Sequence, residues 1–394
     1  MEICDRELCT GCQTCVQICP THAITMHMDK DGFYYPEINT SLCKNCDLCH
    51  KKCVANNPPN GNTPFQVFAC WNKNKADRRK SASGGVFYAL AQQVILNGGV
   101  VFGAAWIETG VQHIKCDNLD DLKKLQGSKY LQSNIGNSYL SAKQLLASGH
   151  TVLFSGTPCQ IAALRLFLGK EYEKLYTVDV VCHGVPSERV LQSYKEELEE
   201  KYNDSIGQIR FRVKHPNWLF SAMGYRLSSG IVRLHPLWKD PFFLGFVNNF
   251  YLRPSCYRCS FSRPQRNGDL TLCDFWGFRA MHLKMFGHMD GVSAVMINTS
   301  SGVKLFELIE GMIKYEKHSL QEVMAGNRNL HAPQQRPENA DQFWSEYQKN
   351  SSISYLSQKY FPESKRPNYS YKSRFRTFIR LILLEMSYLL KGNE

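Results

Sequence analysis

The first residues, Met1-Glu2-Ile3-Cys4-Asp5, carry neither a basic stretch nor an apolar run, so no secretory signal is expected and the expected compartment is the cytoplasm. Complete nucleotide-binding fingerprints are missing as well. Ser83-Gly84-Gly85 and Ser155-Gly156-Thr157-Pro158 place glycine where a backbone can approach an anion, but neither extends to a dinucleotide motif or a P-loop. Acidic residues are in deficit, 35 Asp plus Glu against 47 Lys plus Arg, which leaves a formal net charge of +12. Such a surplus favours acidic partners: phosphorylated cofactors, a negatively charged redox protein, anionic lipid or nucleic acid. Cysteine, at 16 in 394 residues, is too sparse for a disulfide scaffold. Apolar residues at 43% and charged residues at 21% permit a sizeable core and exclude wholesale disorder.

What cysteine there is crowds together. Cys9, Cys12, Cys15 and Cys19-Pro20 read C-x2-C-x2-C-x3-C-P, and Cys43, Cys46, Cys49 and Cys53 repeat the spacing with Val54 in place of proline. Paired runs of this kind mark a bacterial two-cluster ferredoxin, in which the fourth cysteine of each run ligates the other cluster. Cys9, Cys12, Cys15 and Cys53 are therefore assigned to one [4Fe–4S] cluster, and Cys19, Cys43, Cys46 and Cys49 to the other. A pair of zinc knuckles is the alternative, since C-x2-C also suits tetrahedral zinc. The third cysteine two residues on, present in both runs, fits a cube better. Clusters of this type carry single electrons, so a further redox centre, either a flavin, another cluster or both, is expected in the rest of the chain.

The organisation is expected to be α/β (mixed α+β). Residues 1–60 form a cysteine-rich unit that closes in the Pro-, Gly- and Asn-rich stretch 56–62. Ser83 to Asn97 has helical spacing with Gly98-Gly99 as its stop, and Val100 to Trp106 reads as a buried strand. A helix over 138–148, a strand over 151–154, a helix over 160–168 and a strand over 175–181 follow, the order of a parallel α/β core with its sites at the strand carboxyl ends. Residues 205–235 read as antiparallel hairpins, one turning at Ser228-Ser229-Gly230.

Eight further cysteines lie elsewhere: Cys4, Cys70, Cys116, Cys159, Cys182, Cys256, Cys259 and Cys273. Cys159 and Cys182 each end a predicted strand, and Cys256-Tyr257-Arg258-Cys259 is a C-x2-C turn. Four thiolates on loops at one sheet edge would suit a third [4Fe–4S] site; packing as free buried thiols and a zinc site are the alternatives. Ser83 is either part of an anion cradle or an N-cap.

In order along the chain stand Ser-Ala-Ser-Gly-Gly-Val-Phe (81–87), Gly-Ser-Lys-Tyr (127–130), Phe-Ser-Gly-Thr-Pro-Cys-Gln (154–160), Asp-Val-Val-Cys-His-Gly-Val-Pro-Ser (179–187), Leu-Arg-Pro-Ser-Cys-Tyr-Arg-Cys (252–259) and Gly-Asp-Leu-Thr-Leu-Cys-Asp-Phe-Trp-Gly (268–277). Together they resemble the coenzyme F420 hydrogenase/dehydrogenase beta-subunit family. The resemblance implies an N-terminal two-[4Fe–4S] ferredoxin-like domain (1–60) fused to an α/β FAD-binding domain (65–310) with a third cluster on Cys159, Cys182, Cys256 and Cys259. It further implies that Ser83, Gly84, Gly85, Ser155, Gly156, Thr157 and Lys129 line the flavin. Lys129 is the candidate for stabilising an anionic reduced flavin, with a solvated lysine as its alternative. His183, beside a ligand, is either a proton donor or a hydrogen-bond partner of the cluster edge. The family's usual glycine is replaced by Cys273, which either fills a packing site or acts as a substitute ligand or redox thiol. Asp274 and Trp276 are expected at the mouth of the site or in the core.

Residues 311–371 are expected to cover this domain, and 372–391 to form an amphipathic helix with Arg374, Arg376 and Arg380 near its start. That helix is too short and too charged to span a bilayer. It is expected either at a membrane surface or docked on protein, its own or a second copy in a homodimer. Aromatic residues interleave with arginine over 251–266, but the basic residues form no single stripe, so nucleic acid is not an expected partner. The function these readings point to is a cytoplasmic iron–sulfur flavoprotein oxidoreductase. Electrons would come from ferredoxin, a flavodoxin-like donor or a partner subunit, and would pass through the clusters to FAD and on to an organic small molecule or a deazaflavin such as F420. The alternative is an electron-transfer subunit with no substrate of its own.

Overall fold

Continuous apolar runs become interior strands, and the computed structural model, which describes residues 2–108, 110–276, 278 and 289–362, arranges them in one large sheet and two small ones. β1 (Ile24–Met28) and β2 (Tyr34–Ile38) form an antiparallel hairpin within the cysteine-rich unit. The large sheet takes β3 (Gln66–Asn72), β4 (Val100–Ile107), β5 (Gly110–Cys116), β6 (Val152–Gly156) and β7 (Leu175–Val180). β8 (Ile206–Val213), β9 (Ala222–Leu227) and β10 (Val232–Pro236) make a separate antiparallel sheet, with Gly230 at φ +89° in the expected turn. β11 (Leu270–Asp274), β12 (Ser293–Ile297) and β13 (Ile313–His318) complete the large sheet.

Its order is β13-β3-β12-β11-β7-β6-β4-β5. The centre, β4, β6, β7 and β11, is parallel, and antiparallel strands flank it on both sides. Interior parallel strands are covered on both faces, so Val100, Val101, Phe102, Val152, Leu153 and Phe154 are all buried. The helix Val86–Leu96 buries Val86, Leu90 and Val94 against the sheet and stops at Asn97, after which Gly98 takes φ +75°. The helix Pro158–Leu168 follows β6 directly, with proline in its first turn, where the missing amide hydrogen costs nothing.

The sheet continues across residue 310: β13 pairs with β3 at one edge, because its alternating pattern suits an edge strand with one face exposed. Beyond it, the helices Ala340–Tyr347 and Ile353–Tyr360 bury Phe343, Tyr347, Leu356 and Tyr360 in the largest apolar cluster, alongside Phe250 and Tyr251. The amphipathic segment expected over 372–391 lies outside the described residues. Among the described residues no helix is long and apolar enough to cross a membrane.

Candidate functional site

The two N-terminal cysteine runs fold so that their members exchange, as the spacing requires. Cys9, Cys12, Cys15 and Cys53 line one small cavity, while Cys19, Cys43, Cys46 and Cys49 line a second with Pro20, Ala23 and Ile24. Gln13 and Asp47 adopt left-handed backbone immediately before the short helices Thr14–Ile18 and Leu48–Lys51, which turns each run around its cavity. The first set is largely buried, whereas Cys46 of the second is exposed.

Cys159, Cys182, Cys256 and Cys259 come from three motifs far apart in sequence. Cys159 stands in the first turn of the helix that follows β6, and Cys182 in the loop after β7. That loop pairs with the segment leading to Cys256: Arg253 N donates to Val185 O at 2.8 Å, Ser187 N to Tyr251 O at 2.9 Å, and Pro186 bridges to Leu252. Gly184, at φ +148°, permits the approach, since a Cβ there would meet Leu252 Cδ1 at 2.9 Å. The chain after Cys259 is held by a buried ion pair. Arg266 donates to Asp179 Oδ1 at 3.2 Å and to the carbonyls of Phe261, Arg263 and Val180, and Asp179 accepts from the amides of Asn267 and Gly268.

The four thiols therefore share one wall. Cys182 feels the charge of the other three, while Cys159 feels Cys259 and Cys256 together with Cys12 of the N-terminal unit. Burial first, and then such neighbours, pushes Cys159 and Cys256 up to about 12. As thiolates they would sit together stably only around a cation, which a cluster iron supplies. Sulfur-directed donors are in place for that form: Val185 N reaches Cys256 Sγ at 3.3 Å, and Thr157 Oγ1 lies 3.1 Å from Cys159 Sγ. Cys12 also belongs to the same apolar cluster as Cys159 and Cys259, so the two cysteine sites adjoin.

On its other side the wall opens into a cavity of about 1120 Å³ lined by Cys159, Cys182 and His183 together with Ser83, Gly85, Lys129, Ser155, Gly156 and Thr157. The helix Val86–Leu96 starts here at Gly85, in left-handed conformation and with no side-chain cap, so its first turn faces the cavity. Ser83 is not its N-cap; the hydroxyl donates to Val292 O at 2.8 Å. Gly84 is used differently from its neighbours. It does not line the cavity; its amide donates to Ser293 Oγ at 2.9 Å, and a Cβ there would lie 2.3 Å from Cys70 O. Only glycine fits where this turn crosses β3.

Lys129 donates to the carbonyls of Lys124 and Gln126, each at 3.0 Å, and burial with Arg210 nearby pushes its ammonium down to about 7. His183 has both ring nitrogens engaged: Nε2 donates to Phe246 O at 3.2 Å, and Nδ1 accepts from Gln334 Nε2 at 3.0 Å. Burial lowers its pKa, so the ring is neutral and serves to fix the Cys182 loop, whose carbonyl also accepts from Asn329 Nδ2 at 2.8 Å. Asp274 accepts from Trp218 Nε1 at 2.7 Å and from Arg212, and Trp276 stacks on Trp218 with ring centres 4.9 Å apart and planes 3° from parallel. Cys273 packs with Val181 and Phe275, and its electrostatic neighbours are Asp274, Arg266 and Asp179 in place of the four clustered thiols.

Two residues emerge only from the structure. His113 on β5 is buried beneath the Ser155–Thr157 turn, with Nε2 donating to Ser155 O at 2.8 Å and Nδ1 accepting from Ser133 Oγ at 2.7 Å. Arg253, also buried, joins the Cys256 segment to the N-terminal unit, where its Nε donates to Cys9 O at 2.6 Å and its Nη2 to Tyr34 O at 2.9 Å. His113 carries no local motif, and Arg253 stands in the 252–259 motif three residues before its C-x2-C turn, with nothing in the sequence to mark its partner.

Two ferredoxin-type ligand sets joined to a mixed α/β body with a large cavity define an iron–sulfur redox protein. Residues 8–57 match the model of the 4Fe-4S dicluster domain, and residues 149–322 match that of the C-terminal part of the coenzyme F420 hydrogenase/dehydrogenase beta subunit. Residues 149–322 therefore carry the C-terminal domain of this beta-subunit family, and residues 8–57 a dicluster domain of the kind that holds two [4Fe–4S] clusters. The second match encloses Cys159, Cys182, Cys256 and Cys259; the glycine turn at 83–85 and Lys129 precede it. Over 54 residues the chain is 37% identical to an uncharacterized ferredoxin of Methanocaldococcus jannaschii, covering 14% of this chain and 69% of that protein. A chain of the F420-reducing [NiFe] hydrogenase complex of Methanosarcina barkeri, from a xenon-derivatized structure, is 18% identical with a TM-score of 0.47, covering 75% of this chain and 96% of that one.

Proposed function

We propose that this protein is an iron–sulfur flavoprotein oxidoreductase, with residues 1–60 as the dicluster domain and 65–310 as a domain that binds FAD and a third [4Fe–4S] cluster. The observation that carries the reading is the position of Cys159, which adjoins Cys12 on one side and the large cavity on the other. Clusters carry single electrons and a flavin exchanges them for hydride equivalents, which is the chemistry such a set supplies when bound.

In this reading Cys159, Cys182, Cys256 and Cys259 are the third ligand set. The uncapped first turn of Val86–Leu96 and the Ser155–Gly156–Thr157 turn hold the anionic part of the flavin, as helix N-termini do for phosphates. Lys129 supplies a positive charge at the cavity wall. His183 is a positioning residue, because its hydrogen bonds to Phe246 and Gln334 use both nitrogens that a proton donor would need. The basic surplus recruits an acidic electron donor of ferredoxin or flavodoxin type, and the terminal acceptor is an organic molecule or a deazaflavin.

The test is the iron-to-flavin ratio of the chain purified without oxygen. About twelve irons and one FAD per chain are expected for three cubane clusters and a flavin. About eight irons with FAD would remove the third cluster. Iron without flavin would overturn the reductase reading and favour a subunit that only relays electrons within a larger complex, the role the family's designation as a beta subunit suggests.

A further inference from the structure

The cavity of the first N-terminal ligand set holds one cysteine more than a cube needs. Cys4 lines it beside Cys9, Cys12, Cys15 and Cys53, although it lies outside both the repeated spacing and the matched segment 8–57. It packs in the same apolar clusters as Cys53 and Cys9. Its position is built. Ile3 is buried, and Asn56 Nδ2 donates to Ile3 O at 2.9 Å, which ties the segment carrying Cys4 to the loop that carries Cys53. Cys9, by contrast, is fixed from the other side by Arg253 through both its carbonyl and its sulfur.

We infer that Cys4 is an exchangeable fifth ligand of the first cluster, able to take the iron corner held by Cys53. The inference rests on the assignment of Cys9, Cys12, Cys15 and Cys53 to that cluster. In the exchange the iron–sulfur bond to Cys53 breaks, one to Cys4 forms, and the Cys4 thiol proton passes to the released Cys53 sulfur. No electron moves and the net charge of the ligand set is unchanged. Such a spare thiol recaptures a corner before the iron is lost, which is useful at the cluster that adjoins the third cysteine site.

Iron content and the EPR signal of the reduced clusters, measured on full-length chains purified without oxygen, test the exchange. Cys4→Ser and Cys53→Ser should each retain the wild-type iron, whereas the double variant should lose about four irons. If Cys53→Ser alone loses as much iron as the double variant, the exchange is overturned. If the double variant keeps all its iron, the ligand assignment itself fails. Should Cys53→Ser not fold, Cys4→Ser still decides, since it retains the four assigned ligands. Its iron should be released to a ferrous chelator about tenfold faster than from wild type, on the scale of losing a supporting group around a metal ligand. An unchanged release rate overturns the inference.

Discussion

Arg253 and Cys9 are joined twice: the guanidinium donates to the Cys9 carbonyl at 2.6 Å and to the Cys9 sulfur at 3.6 Å, while the carbonyl of Arg253 accepts from Cys256 N at 2.8 Å. One side chain thereby spaces a ligand of the first cluster against the proposed third. A cation beside a thiolate favours the more negative, reduced cluster. Arg253→Ala should therefore lower the midpoint potential of one N-terminal cluster in an EPR-monitored titration. It should also destabilise the chain by about 2 kcal/mol or more, as expected for lost charge-assisted hydrogen bonds. An unchanged potential would mean that the contact is only structural.

Cys159→Ser should remove about four irons per chain and leave the N-terminal signals in place, because its ligand set is separate from theirs. Cys273→Ser should remove none, since the charged neighbours of Cys273 are Asp274, Arg266 and Asp179 and not the four thiols. Iron analysis of the two variants side by side distinguishes a ligand from a filler.

FAD affinity should weaken as pH rises above 7. The Lys129 ammonium is pushed down to about 7 by burial, so at higher pH the empty cavity holds it neutral and an anionic ligand must bring its proton back. One such proton weakens binding by up to about tenfold per pH unit. Lys129→Met should flatten the dependence, and Lys129→Arg should hold affinity at high pH. Calorimetry in buffers of different ionisation enthalpy reads the proton uptake directly.

His113 gives a dependence of stability in the acid range. Burial lowers its pKa from 6.5 to about 4, so the folded state keeps it neutral where the unfolded chain takes up a proton. The contribution is complete above pH 6.5 and is lost as pH falls toward 4, amounting to about 3 kcal/mol. His113→Gln should remove that slope from the denaturation free energy measured between those limits. A parallel curve for the variant would assign the acid sensitivity elsewhere.

Asp179→Asn should cost about 3–5 kcal/mol, the range for leaving one member of a buried ion pair without its partner. Arg266 would remain enclosed with its charge, and the segment after Cys259 would lose its anchor. Urea denaturation of the variant measures the loss.

The grouping of the eight N-terminal cysteines was legible because a cube imposes a fixed local spacing, and the structure brings the two expected groups of four to separate cavities. β4, β6 and β7 were legible from continuous apolar runs. The edge strand β13 was not, since half its residues face water and its pattern reads as a cover. Arg253, His113 and Cys4 escaped for a different reason. Each acts through a partner brought near only by folding, Cys9 for the arginine, Ser133 and Ser155 for the histidine, and Cys53 for the cysteine. Gly84 was misread in the opposite direction: its place in a glycine-rich turn suggested an anion, but the space it spares belongs to the carbonyl of Cys70.

The uneven burial of the two N-terminal ligand sets carries a consequence for durability. Cys46 is exposed while Cys9, Cys12 and Cys53 are enclosed, so the second set is the one that solvent and oxygen meet first. An exposed cluster edge admits the oxidant that destroys it. Air damage should therefore begin at the outer set and spare the inner one, so iron should be lost to air in two separate stages.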